Sequence, residues 1–102
     1  MLFRSVDDRL VPGTVAERDK AVADYAKTFL ESVLVYPQTR YVMAWGLCDT
    51  YSWLQHGAPR PDGTPKRPTP YDAAFQAKPL RRAIVDAIAA APSRPLLPMT
   101  TA

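Results

Sequence analysis

Apolar residues recur on one face of a predicted helix in the first third of the chain. Thr14 and Glu17 stand at the spacing of a capping box, in which each side chain satisfies a free backbone N–H group of the first turn. The pattern therefore predicts a helix from about Val15 to Val35, and Pro37 closes the segment. Its apolar stripe consists of Val22, Tyr25, Ala26, Phe29 and Val33.

The segment RYVMAW, residues 40–45, follows this helix and is apolar without alternating with polar residues. This pattern is typical of a strand buried on both faces, as in a parallel sheet. A long helix leading into such a strand is half of a β-α-β unit, so the pattern predicts an α/β fold. The other strand would have to lie in LFRSV, residues 2–6, which is short.

The rest of the chain predicts a long loop and a second helix. Residues 55–71 hold five of the eleven prolines and an Asp62-Gly63 turn signal. A loop of this length without secondary structure is usually functional or disordered. A helix is expected to begin at Lys78-Pro79, with its apolar face ahead of Pro92, and residues 92–102 form a tail with no reason to be ordered. That face consists of Leu80, Ile84, Ala87 and Ile88.

Charge and reactive residues exclude several classes of function. Thirteen Lys plus Arg against ten Asp plus Glu leave a scattered charge of +3, too little to indicate a nucleic-acid partner. Cys48 and His56 are each the only residue of their type, which argues against an internal disulfide, a metal site or a Ser-His-Asp triad. We therefore expect no cofactor and no metal. No apolar run reaches 18 residues, so no membrane span is expected, and the first residues lack a secretory signal.

Both tryptophans of the chain lie in YVMAWGLCDTYSWLQ, residues 41–55. Trp45 ends the predicted strand and Trp53 follows in the loop, and ligands bind at the carboxyl ends of strands in α/β folds. An indole offers a flat apolar face and an N–H donor, which suits a sugar ring. The alternative is that Trp45 belongs to the core and Trp53 only covers the loop.

The pattern Trp45-Gly46-x-x-Asp49-x-x-Ser52-Trp53-Leu54 resembles the eighth-strand signature of glycoside hydrolase family 10, the endo-1,4-β-xylanases. The similarity extends over residues 6–90, including PYDAAFQAKPLRRAI before the last helix. It implies the C-terminal portion of a (β/α)8 TIM barrel, with a remnant of strand 7, helix 7, strand 8 and helix 8, incomplete as a barrel. The expected organisation is a non-family start at residues 1–5, the family segment at residues 6–91 and a disordered tail at residues 92–102.

The family hydrolyses xylan with retention, using two glutamates about 5 Å apart. The resemblance places the acid/base upstream of this chain, and it puts Phe3 where the nucleophile of a Thr-Glu-Leu-Asp-Val motif belongs. Asp7 and Asp8 are adjacent, so in a strand they point to opposite sides and cannot replace the pair. We therefore predict no catalytic residue and no xylanase activity for the chain alone.

Other polar residues have structural interpretations. Asp49 is expected to accept backbone N–H bonds in its loop, and Ser52 has no His-Asp pair to activate it. Cys48 beside Asp49 is not a credible nucleophile, because a neighbouring carboxylate raises the pKa of a thiol. Glu17 is read as a cap and Glu31 as part of a solvated face. A solvated surface is also expected for His56, Arg60 and Lys66, with a sugar subsite as the alternative.

The resemblance implies that Trp45 and Trp53 wall the glycone side of a sugar-binding cleft. The expected partner is xylan or a xylo-oligosaccharide. An incomplete barrel is expected to be poorly folded by itself or to self-associate through unpaired strand edges. Family members are usually secreted or periplasmic, although this chain shows no signal peptide. Two other classes stay open: a stand-alone carbohydrate-binding module, and a structural or interaction domain in which the tryptophans are buried.

Overall fold

Three α-helices form most of the regular structure among the residues that the structure describes. The computed structural model describes residues 7–43 and 46–93. The helices are α1 (Val15–Leu34), α2 (Leu54–Gly57) and α3 (Pro79–Ala90), and a 3₁₀ turn spans Asp49–Tyr51. Trp45, the predicted non-family start at residues 1–5 and most of the predicted tail lie outside the described residues.

The first helix confirms the prediction from its capping box. The backbone N–H of Glu17 donates to Thr14 Oγ1 at 3.2 Å, and the backbone N–H of Thr14 donates to Glu17 Oε1 at 3.4 Å. The helix runs from Val15 to Leu34, one residue short of the predicted end. Local sequence therefore determines where α1 begins.

The second predicted helix is also confirmed. Lys78 is the N-cap of α3 and Pro79 is its first residue, where the missing N–H leaves no hydrogen bond unmade. The helix ends at Ala90, two residues before Pro92. Lys78 makes no capping hydrogen bond, because an ammonium group has no acceptor for the free N–H groups of the first turn; its Nζ instead donates to Asp49, as described below.

The core is a contact between α1 and α3 that forms two small clusters. In one, Val22 and Ala26 pack on Leu80. In the other, Leu30 and Leu34 pack on Ala87, and Ile84 contacts both clusters. The predicted stripe of α1 is only half covered, since Tyr25 and Phe29 remain 53% and 51% exposed. A single partner helix covers only part of a broad apolar face, so the rest of that face stays open.

The predicted α/β fold, with a remnant of a TIM barrel, is wrong for the described residues. No sheet is present among them: β-structure is limited to isolated bridges that join Tyr71 to Cys48 in parallel and to Ala77 in antiparallel orientation. Residues 40–43 of the predicted strand have no regular structure and are exposed. A strand requires a neighbour to satisfy its backbone N–H and C=O groups, and no described residue forms a bridge with residues 40–43. The described structure is a small helical domain.

The predicted irregular loop over residues 55–71, the proline-rich segment, is confirmed only in part: residues 58–70 have no helix or strand, but residues 55–57 belong to α2 and Tyr71 makes isolated bridges. It is nevertheless held in place by buried ion pairs. The expectation that such a loop is either functional or disordered therefore omits a third possibility, a loop fixed by internal ion pairs. Its hydrogen bonds are those of the site described next. Within the described residues, no helix has both the length and the apolar character to cross a membrane.

Candidate functional site

Trp53 stands at the start of α2, on the rim of an apolar groove. The groove has a volume of about 610 Å³ and lies between α1, α3 and residues 68–71. Trp53 is 43% exposed, so this indole is not buried core, and its exposure agrees equally with the alternative that Trp53 only covers the loop. Trp45, the other predicted sugar-binding residue, lies outside the described residues, so the geometry of the predicted pair is not described.

Gly57 sets the position of the indole. A Cβ atom at residue 57 would lie 2.5 Å from Trp53 Cε3 and 2.6 Å from Cζ3, closer than carbon atoms approach. The backbone N–H of Gly57 also donates to the carbonyl of Trp53 at 2.9 Å, closing the single turn of α2. The ring therefore packs on the bare backbone of residue 57, a contact that the sequence pattern did not reveal.

Asp49 organises the interior beneath the groove. It is 4% exposed, and its Oδ1 accepts from the backbone N–H of Thr69 at 2.9 Å and from Thr69 Oγ1 at 2.8 Å. The predicted structural role, acceptance of a backbone N–H in the loop, is confirmed. The sequence did not predict its ion pair with Lys78, whose Nζ lies 2.9 Å from Oδ1 and 2.8 Å from Oδ2.

Lys78 is buried together with Asp49. Its Nζ also donates to the carbonyl of Arg67 at 2.9 Å, so all three of its donors are used. Burial lowers the pKa of Lys78 below its ordinary value, and the carboxylate of Asp49 partly opposes this decrease. The pair fixes three parts of the chain at one point: the 3₁₀ turn, the proline-rich segment and the start of α3.

A second buried carboxylate, Asp8, ties α1 to the proline-rich segment. Asp8 is fully buried, and its Oδ2 accepts from Arg18 Nε at 2.8 Å. Its Oδ1 accepts from the backbone N–H of Arg67 at 2.8 Å. Arg60 Nη1 donates to the backbone carbonyls of Asp8 and Val11. Asp8 is therefore a structural anchor in this fold.

The predicted solvated surface is correct for His56, which is exposed, and wrong for Arg60 and Lys66. Arg60 is 8% and Lys66 is 1% exposed. Arg60 also pairs with Asp62 at 3.0 Å, while Lys66 Nζ lies 3.2 Å from Asp7 Oδ2. Hydrogen bonds from Arg60 and Thr64 lower the pKa of Asp62. The sequence shows that Arg60 and Lys66 lie in a polar loop, but it does not show that ion-pair partners bury them.

The cysteine and serine next to Trp53 are engaged in structural contacts. Cys48 is 3% exposed, and its Sγ donates to the carbonyl of Asp72 at 3.3 Å. Ser52 is 3% exposed, and its Oγ accepts from the backbone N–H of Leu54 at 3.3 Å. Within the described ranges, no cluster of residues suited to a metal ion occurs.

All ten acidic residues of the chain fall within the described ranges, and nine of them have a hydrogen-bond or ion-pair partner. Asp19 pairs with Arg67 at 2.7 Å, and Asp72 accepts from the backbone N–H groups of Ala74 and Gln76. Only Glu31, on the exposed side of α1, has no partner among the contacts described. The three buried carboxylates, Asp8, Asp19 and Asp49, each form an ion pair with a cation.

Comparison with protein families agrees with the resemblance carried by the Trp45-to-Leu54 pattern. A family model described as glycosyl hydrolase family 10 matches residues 5–87, most of the 102-residue chain. The chain belongs to glycosyl hydrolase family 10. No curated protein and no solved structure matched it. Membership places the chain in a family of glycosidases, and the match includes Trp53, Gly57 and the Asp49–Lys78 pair.

Proposed function

We propose that the chain is part of a retaining endo-1,4-β-xylanase, and that by itself it binds xylan or xylo-oligosaccharides without cleaving them. The observation that supports this most strongly is the family match over residues 5–87, which includes the tryptophan pattern. Within this proposal Trp45 and Trp53 stack on xylose rings. No cofactor takes part.

The exposure of Trp53 supports the binding half of the proposal. A pyranose ring has C–H groups on its faces, which favour contact with the flat face of an indole. The contact between Trp53 and Gly57 orders the ring before a sugar arrives, so less side-chain entropy is lost on binding. Arg81 and Tyr71 line the same groove and provide polar groups for the hydroxyls at the edge of the sugar.

The state of the buried carboxylates supports the absence of cleavage. A retaining mechanism needs one carboxyl group as nucleophile and another as acid/base, about 5 Å apart on either side of the bond. The buried carboxylates Asp8 and Asp49 already accept hydrogen bonds from cations and backbone, so neither has an oxygen directed at a substrate. Protonating Asp49 as an acid would leave Lys78 without its counter-ion.

The binding half is tested by titrating the chain with xylohexaose while tryptophan fluorescence is recorded. Trp53→Ala is expected to weaken binding roughly tenfold, which corresponds to a stacking energy of about 1.4 kcal/mol. Tyr51→Ala is the matched control, because Tyr51 is an aromatic residue only two positions away, 78% exposed and outside the groove. Absence of binding by the unaltered chain would contradict the proposal, as would equal binding by Trp53→Ala.

The catalytic half is tested separately by incubating the chain with xylan and measuring new reducing ends. The expected rate equals that of buffer alone. Release that is reproducibly above buffer, and that persists in independent preparations, would show that the chain is itself a catalyst.

A further inference from the structure

Arg81 is the only charged residue among the described residues that line the groove. It is the third residue of α3, and it is exposed. Most of the other lining residues are apolar, among them Phe29, Leu80 and Ile84. A cation beside an apolar wall is screened less by water than a cation on an open surface, so the positive charge of Arg81 acts on any ligand in the groove.

Within the described part of the chain, no acidic side chain neutralises this charge. All ten acidic residues lie in the described ranges, and none of them forms an ion pair or a hydrogen bond with Arg81. The neighbouring cations differ in this respect, because Lys78 is paired with Asp49 and Arg82 lies 3.8 Å from Asp86. Of the three cations at the start of α3, Arg81 alone has no acidic partner in the residues described.

Tyr71 holds the guanidinium group in one orientation. Arg81 Nε donates to the hydroxyl of Tyr71 at 2.9 Å. The backbone of Tyr71 is itself fixed, since its N–H donates to the carbonyl of Leu47 at 2.9 Å and its carbonyl accepts from the N–H of Asp49 at 3.1 Å. A guanidinium group has five N–H donors, and this contact uses the one on Nε. No described residue accepts from the two terminal nitrogens, Nη1 and Nη2, so their donors are available to a ligand.

We propose that Arg81 binds a carboxylate of the ligand, so that the groove prefers xylan in which some xylose units carry a uronic acid. This inference rests on the proposed function, because it requires Trp53 to stack on a xylose ring in the same groove. The terminal N–H groups of a guanidinium match the two oxygens of a carboxylate, and these charge-assisted hydrogen bonds are stronger than bonds to neutral hydroxyls. The hydroxyls of unsubstituted xylose bond to the same nitrogens without this contribution from charge.

The test compares a xylo-oligosaccharide that carries one glucuronic acid with the methyl ester of the same compound, which has nearly the same shape and no charge. Each is titrated into the full chain at low salt while tryptophan fluorescence is recorded. The acid is expected to bind about fivefold more tightly than the ester, which is the upper end of the range for an exposed ion pair. This preference is expected to decrease as salt is added.

Two variants locate the charge that is responsible. Arg81→Gln keeps hydrogen-bond donors in the groove and removes the charge, so the acid and the ester are expected to bind equally. Arg82→Gln is the matched control and is expected to keep the preference, because Arg82 is the next residue of α3 and does not line the groove. Far-UV circular dichroism establishes that both variants keep their helices. The salt dependence of the unaltered chain needs no variant, so it tests the proposal even if Arg81→Gln loses helix.

A parallel titration with neutral xylohexaose separates this proposal from the one on which it rests. If xylohexaose, the ester and the acid bind equally well, the preference for a carboxylate is refuted and sugar binding stands. If none of the three binds, both proposals are refuted. A preference that survives in Arg81→Gln would overturn the role of Arg81. So would an equal loss of preference in Arg81→Gln and Arg82→Gln, because the net charge of +3 would then be responsible.

Discussion

Replacing Asp49 with asparagine isolates the contribution of the buried ion pair beneath the groove. The amide oxygen still accepts the hydrogen bonds of Thr69, so the shape of the turn is kept. The charge opposite Lys78 is lost, and the Lys78 residue is only 6% exposed. The variant therefore leaves a buried ammonium group without its counter-ion.

Loss of one partner from a buried ion pair costs about 3–5 kcal/mol, whereas the whole domain is stabilised by about 5–15 kcal/mol. We therefore expect Asp49→Asn to lose a large fraction of the free energy of unfolding. Lys78→Met in the same background removes the stranded charge and is expected to recover part of the loss. The double-mutant cycle then gives the coupling between the two side chains.

The loss is expected to depend on pH through Lys78. Asp49 opposes the decrease in the pKa of Lys78 that burial causes, so the pKa falls further in Asp49→Asn. The folded variant then binds fewer protons than the unfolded chain, and its stability rises as the pH increases toward the ordinary lysine value of 10.5. The deficit relative to the unaltered chain is therefore largest at neutral pH and shrinks in alkaline solution.

Urea denaturation followed by far-UV circular dichroism measures these differences. Asp86→Asn is the control, because Asp86 lies 3.8 Å from Arg82 on the surface of α3 with both side chains largely exposed, and such pairs contribute only about 0.3–0.5 kcal/mol. The reasoning is refuted if Asp49→Asn costs no more than Asp86→Asn. It is also refuted if the deficit of Asp49→Asn grows with pH.

Two further predictions follow from contacts around the site. Hydrogen bonds hold the pKa values of Asp62 and Asp72 below 3.8, so their stabilisation is present above that pH and is lost as the pH falls through the folded-state values. Below about pH 4 the stability of Asp72→Ala should therefore decrease less than that of the unaltered chain. An equal decrease in the two proteins would contradict this. The added Cβ of Gly57→Ala would lie 2.5 Å from Trp53 Cε3, so the variant should displace the ring, alter the near-UV circular dichroism and weaken xylohexaose binding; an identical spectrum would show that the ring does not pack there.

Helices α1 and α3 were predictable because their signals are local, whereas the short helix α2 was not predicted. The capping box of Thr14 and Glu17 and the proline at position 79 act within one turn, so they fix where α1 and α3 begin. The burial of each side chain, by contrast, is not determined by its neighbours in the sequence. Tyr25 and Phe29 share the apolar stripe with Val22, but whether a stripe residue is covered depends on what packs against it, and α3 covers only one side.

The strand prediction failed for a related reason. An apolar run such as residues 40–43 has the composition of a buried strand, but pairing is a property of two segments, and the described residues offer no partner. The ion pairs were missed because they join residues far apart in sequence, such as Asp8 with Arg18 and Asp49 with Lys78. For Asp49 the sequence predicted that the carboxylate accepts hydrogen bonds, but it did not predict that Lys78 is the cation paired with it.

The most direct test of the central claim, that this family 10 chain binds xylo-oligosaccharide without cleaving it, is saturation-transfer NMR with xylohexaose in a single sample. Saturation of protein methyl signals is expected to reach the xylose protons, while the anomeric signals of new reducing ends stay absent through prolonged incubation. The absence of any transfer would contradict the binding assigned to the tryptophans, and the growth of new anomeric signals would contradict the claim that the chain does not hydrolyse its ligand.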